Sequence, residues 1–134
     1  MPLPPAVQTI TGAQELFDWF GYWPSFHDAE VVRFRLEAGA PSSLVIRTWE
    51  MTNQVDAKGF YELRKHVVVE FSIEAISTIN VQELLAHSIL LDLAVDKTEL
   101  GFQLSFTAAY GLSGTIEARR LSLHIRPGKP SRDV

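Results

Sequence analysis

Ten consecutive residues, Gly21-Tyr22-Trp23-Pro24-Ser25-Phe26-His27-Asp28-Ala29-Glu30, carry three aromatic and four polar side chains. An imidazole beside two carboxylates is the material of a metal site or a proton-transfer pair. Geometry argues against both. A histidine-based metal site usually needs three or more protein ligands, and along a strand only alternate residues share a face, so His27 and Asp28 are expected to point apart. His66, His87 and His124 stand singly along the chain. The preferred reading is a structural bend. Trp23 and Phe26 seal a helix against a sheet, Pro24 holds Trp23 extended, and Ser25, His27, Asp28 and Glu30 bond locally. No catalytic or metal-ligating residue and no cofactor is assigned.

Other reactive signatures are missing. The chain has no cysteine, which excludes a disulfide framework, a thiolate zinc site and an iron–sulfur cluster. It contains no Gly-x-Ser-x-Gly elbow, phosphate-binding loop or dinucleotide fingerprint. Asp92 and Asp96 share a strand parity, but exposed strand carboxylates are ordinarily solvated. Net charge is −4, and residues 1–116 hold 7 basic against 14 acidic side chains, which argues against general nucleic-acid binding. The basic C-terminal residues Arg119, Arg120, Arg126, Lys129 and Arg132 read as strand-exterior and tail charges. No stretch reaches the roughly 20 apolar residues that span a bilayer. The Met-Pro-Leu-Pro-Pro start has no positive n-region, so a cytoplasmic protein without membrane association is expected.

The elements that position this segment follow from periodicity. With 134 residues, 46% of them hydrophobic, a single domain is expected, with 1–10 as an extended lead-in and 127–134 as a tail. Thr11-Gly12-Ala13-Gln14 fits a capping box, and Ala13, Leu16, Phe17 and Phe20 form one apolar face, predicting a helix over about 12–20 that stops at Gly21. From residue 30 the period becomes two. Strands are expected at 30–37, 44–51, 66–74, 89–95, 100–106 and 115–126, with turns at 38–41 and 96–98 and a loop over 52–61. Asn80, Val81, Leu84 and Leu85 are spaced for a short second helix over about 80–87. In the last strand the apolar parity slips from Ile116 and Ala118 to Leu121 and Leu123, as a bulge near Arg119-Arg120 would cause. The expected fold is α+β: a mostly antiparallel sheet of about six strands with the N-terminal helix on one face.

The run Phe20-Gly21-Tyr22-Trp23-Pro24-Ser25-Phe26-His27-Asp28-Ala29-Glu30-Val31 resembles the immunity protein 50 family of bacterial polymorphic-toxin systems. The stretch Leu63 to Phe71, and Tyr110-Gly111-Leu112-Ser113-Gly114 leading into Ile116-Glu117-Ala118-Arg119-Arg120, are similar too, so the likeness covers roughly 12–127. It implies a small cytoplasmic α+β protein that binds and neutralises a cognate toxin without catalysis. An inhibitor of that kind needs a complementary surface, and acidic residues steer association with a basic target. The expected contacts are Glu50, Asp56 and Glu62 flanking the long loop and Asp92, Asp96 and Glu99 around the last hairpin. Trp49, on the parity of Val45 and Arg47, is either an outer aromatic anchor or a covered one. Two other readings stand beside this one: a small hydrolase or metal-dependent enzyme using His27 with a nearby carboxylate, and a homo-oligomeric domain assembled through exposed sheet edges.

Overall fold

A computed structural model describes residues 3–83 and 87–128 of the chain. Six strands carry the fold: β1 (Glu30–Arg35), β2 (Ser42–Val55), β3 (Tyr61–Gln82), β4 (Ile89–Thr98), β5 (Gly101–Tyr110) and β6 (Ser113–Pro127). Every neighbouring pair is antiparallel, as expected. The sheet, however, closes into a barrel in the order β1-β2-β3-β6-β5-β4, where an open sheet with a helix on one face was expected. The protein is therefore mostly β. Its core is the barrel interior, where Leu44 and Ile46 of β2, Val69 and Phe71 of β3, and Leu121 and Leu123 of β6 are buried together.

The N-terminal segment closes one end of the barrel. Helix α1 (Ala13–Phe20) buries Ala13, Leu16 and Phe20 in the core cluster and ends, as its sequence predicts, at Gly21 in the left-handed region (φ 84°). Its start differs from the expected capping box. Gly12 is the cap (φ 91°), no side chain caps the helix, and the Gln14 amide donates to Asp18 Oδ1 instead. The reason is tertiary. The Thr11 carbonyl accepts the Leu123 N–H of β6 at 2.8 Å, so Thr11 serves the sheet, and a Cβ on Gly12 would overlap the Leu123 carbonyl. The lead-in is also not simply extended: Pro5–Val7 form a 3-10 turn, with Val7 and Ile10 buried in the core.

Three further expectations change. Asn80, Val81 and Gln82 are not helical; they continue β3 and pair with Thr115, Gly114 and Ser113, while residues 84–86 of the expected second helix lie outside the described residues. A four-residue apolar spacing was too short to tell helix from strand, and the long β6 partner decides it. The expected loop over 52–61 is mostly hairpin, with β2 running to Val55, β3 starting at Tyr61, and Asp56 Oδ1 accepting the Lys58 and Phe60 N–H groups in the turn. In β6 the parity slip is present, since Arg119 and Arg120 are both exposed between buried Ala118 and Leu121. The register shift itself lies across the ladder, between Ile76 and Thr78, close to Ala75 at φ 57°. In β4 the inward residues are Leu90, Leu93 and Val95, because a register shift between Leu90 and Asp92 leaves both Leu91 and Asp92 exposed.

Candidate partner-binding site

The barrel closes where β1 meets β4, and that ladder has a single registered pair, Glu30 with Ile89. The bend Trp23–Ala29 supplies most of the remaining seam. Leu93 N–H donates to the Ser25 carbonyl (3.2 Å), Asp28 N–H to the Leu90 carbonyl (2.9 Å) and Leu90 N–H to the Ala29 carbonyl (2.8 Å). A turn closed by Ala29 N–H on the Phe26 carbonyl (3.1 Å) puts Asp28 at its third position with φ 65°, where a positive value is required in type II geometry. Phe26 also has φ 64°, an uncommon value for an aromatic residue. Its ring is wholly buried, edge-on to Phe71 (5.9 Å between centroids) and to Trp23 (6.1 Å), so core packing holds the strained backbone in place. Pro24 is buried beside it.

The polar members of the bend do local work, with Ser25 and His27 exposed and Asp28 half-buried. The His27 N–H bonds Ser25 Oγ at 3.3 Å. The His27 ring places Nδ1 3.0 Å from the carbonyl of Leu91, the residue at the register shift, so Nδ1 is the donor. Contrary to the expectation from strand alternation, His27 and Asp28 share a side, with Nε2 3.6 Å from Asp28 Oδ1, because the left-handed residue breaks the alternation. Glu30 accepts Arg47 Nη2 at 2.8 Å. Among the described residues, no group of three or more histidines and carboxylates gathers at a point.

Opposite the bend stands a feature that the sequence hid. β1 pairs with β2 only as far as Arg47, and β6 reaches β3 only at Val67. Beyond those residues β2 and β3 continue as a two-stranded arm, about residues 49–66, projecting past the barrel wall. Its root is tied down on several sides. Arg64 Nε donates to Glu50 Oε2 (2.7 Å), the Tyr22 hydroxyl donates to Glu50 Oε1 (3.0 Å), Lys65 Nζ to the Phe20 carbonyl (3.1 Å) and Trp19 Nε1 to the Lys65 carbonyl (2.9 Å). The Arg64 hydrogen bond holds the Glu50 carboxyl below its ordinary range. Burial, and then the Glu50 carboxylate, push the Tyr22 phenol up. Trp49 is half-buried, with the Arg47 guanidinium 5.3 Å above its ring and His66 5.9 Å away.

Between bend and arm root lies a shallow cleft of about 230 Å³, lined by Tyr22, Ser25, His27, Asp28, Trp49 and Glu50, with Met51 at its edge. The expected contacts are thereby divided. Glu50 is the charge hub of the cleft, Asp56 sits in the turn at the arm's tip, and Glu62 is exposed on the arm's β3 strand. Asp92, Asp96 and Glu99 are exposed on β4 and its turn, and none of the three lines the cleft. Arg119, Arg120 and Arg126 are exposed on β6, Arg120 paired with Glu74 at 3.1 Å, and Lys129 and Arg132 lie outside the described residues. Tyr22 and Met51 were missed as cleft residues; the only sequence signal was Trp49-Glu50-Met51 on a strand longer than its apolar alternation suggested. Comparison with family models, with curated proteins and with solved structures finds no match.

Proposed function

We propose that this protein is a non-catalytic inhibitor of the immunity type, which captures a cognate protein toxin at the cleft between the bend and the arm root. The observation that carries this reading is the make-up of that cleft. A tyrosine, a tryptophan and an exposed methionine surround two carboxylates, Asp28 and Glu50. Aromatic residues and methionine are enriched at interface centres, and clustered carboxylates favour a basic partner. The projecting arm adds exposed Val55 and Phe60 farther out, a second apolar contact for a partner seated on the cleft. The resemblance of Phe20–Val31 to the immunity protein 50 family supports the same reading. In it, the Trp23-Pro24-Ser25-Phe26-His27-Asp28 run is chiefly scaffolding: it closes the barrel and sets one wall of the cleft.

The test is co-expression with the toxin encoded beside this gene, followed by titration of purified toxin. Wild-type protein is expected to protect the cell and bind, whereas Trp49→Ala loses binding by tenfold or more, about 1.4 kcal/mol, with the fold retained by circular dichroism. Protection by Trp49→Ala at wild-type affinity would move the interface elsewhere.

A further inference from the structure

On the β3 side of the arm, no described residue pairs with the strand edge beyond His66, and the sequence on that edge is complementary to itself. Thr52 Oγ1 of β2 donates to the Glu62 carbonyl at 2.9 Å, so Glu62 directs its backbone groups toward β2. Backbone direction alternates along a strand, so the N–H and carbonyl of Leu63 face away from β2. Among the described residues, β6 does not reach this level: its last pairing with β3 is Pro127 with Val67, followed by the Gly128 N–H on the His66 carbonyl at 2.6 Å. Leu63 is 39% exposed and lies opposite Met51, which is 52% exposed, so an apolar pair borders the open edge.

We propose that this edge pairs with the same edge of a second copy of the chain, antiparallel about a two-fold axis through Leu63. A closed two-fold contact requires a surface that matches itself. Centred on Leu63, such pairing sets each Leu63 against its counterpart and exchanges two backbone hydrogen bonds between them. It also sets Glu62 of one copy opposite Arg64 of the other, twice. Opposite charges directly across a ladder stabilise it, and like charges destabilise it. The side chains are available for this. Among the described residues, no ion pair or hydrogen bond engages the Glu62 carboxylate, and Arg64, with its side chain 62% exposed, uses Nε on Glu50. The two arms then form one four-stranded ribbon, which converts a marginal two-stranded hairpin into a sheet of independently stable size. The cleft lies on the β2 side of each arm and stays open, so the dimer is separate from toxin capture.

Sedimentation equilibrium of the full chain over a wide concentration range tests this, with three variants. Wild type is expected to dimerise reversibly. Leu63→Asp and Leu63→Lys each set like charges face to face on the axis and are expected to weaken the dimer tenfold or more, while their equimolar mixture recovers a heterodimer. Glu62→Arg sets arginine against arginine and weakens it similarly. Circular dichroism and melting of each variant separate a lost dimer from a lost fold. A wild-type chain that stays monomeric throughout overturns the proposal and leaves the edge to a strand of another protein. So does a dimer indifferent to Leu63→Asp, or a mixture no more dimeric than its components.

Discussion

At the residue scale, the bend shows how a sequence rich in reactive side chains becomes structural. Ser25, Asp28 and Ala29 are fixed by backbone bonds to β4, the His27 ring bonds the Leu91 carbonyl, and the fully buried ring of the bend is that of Phe26. Phe26→Ala is expected to cost about 3–5 kcal/mol in a denaturant melt, as large buried aromatics do. Trp23→Ala, removing a ring that is only half-buried, is expected to cost less, about 1–3 kcal/mol. Chain order could show which residues cluster here, but not the left-handed turn that brings His27 and Asp28 to one side. That turn exists because β4 is hydrogen-bonded to it, and the pairing of residue 28 with residue 90 is not a local property. Glu50 carries the pH dependence. Its carboxyl is held low in the folded state, so it contributes stability above the ordinary carboxylate value of about 4.3, and that contribution fades as pH falls through its own lower value. Acid melts of Glu50→Gln should lose this component, giving a shallower fall in stability below about pH 4.3 than wild type.

At the element scale, the strands were legible and their ends were not. Val67, Val69, Phe71 and Ile73 alternate clearly enough to mark the middle of β3, and the whole of it is paired or in the arm. The flanking residues 61–65 and 75–82 lack a simple alternation because the arm has no buried face and the register shifts near Ala75. Binary patterning reports burial, so an element exposed on both faces is silent in it. The helix was legible from its apolar face, but not its cap, because Gly12 answers to β6 rather than to the helix. Gly12→Ala is expected to destabilise by about 1–3 kcal/mol, since it combines a left-handed backbone with a clash against the Leu123 carbonyl. The arm makes the opposite prediction. Replacing residues 53–60 with Asn-Gly should change barrel stability by about 1 kcal/mol or less, because hairpins without a third strand add little.

At the scale of the whole molecule, a closed six-stranded barrel leaves few unpaired backbone groups, and the arm is where the chain departs from that economy. The closure could not be read from the sequence: short connections favour an antiparallel sheet, but the barrel depends on one residue pair and a bend outside regular strand. An element that projects beyond the core and exposes Met51, Val55, Phe60 and Leu63 adds little to folding and much to contact area. The central claim is that the protein acts by fitting another macromolecule at the cleft beside this arm. Calorimetric titration of the neighbouring toxin into wild-type protein and into Trp49→Ala tests it most directly. One toxin per chain is expected for wild type, with toxin activity abolished, and at least a tenfold weaker complex for a folded Trp49→Ala. No heat of binding and no protection from wild type, or an unaltered complex from the variant, would contradict it.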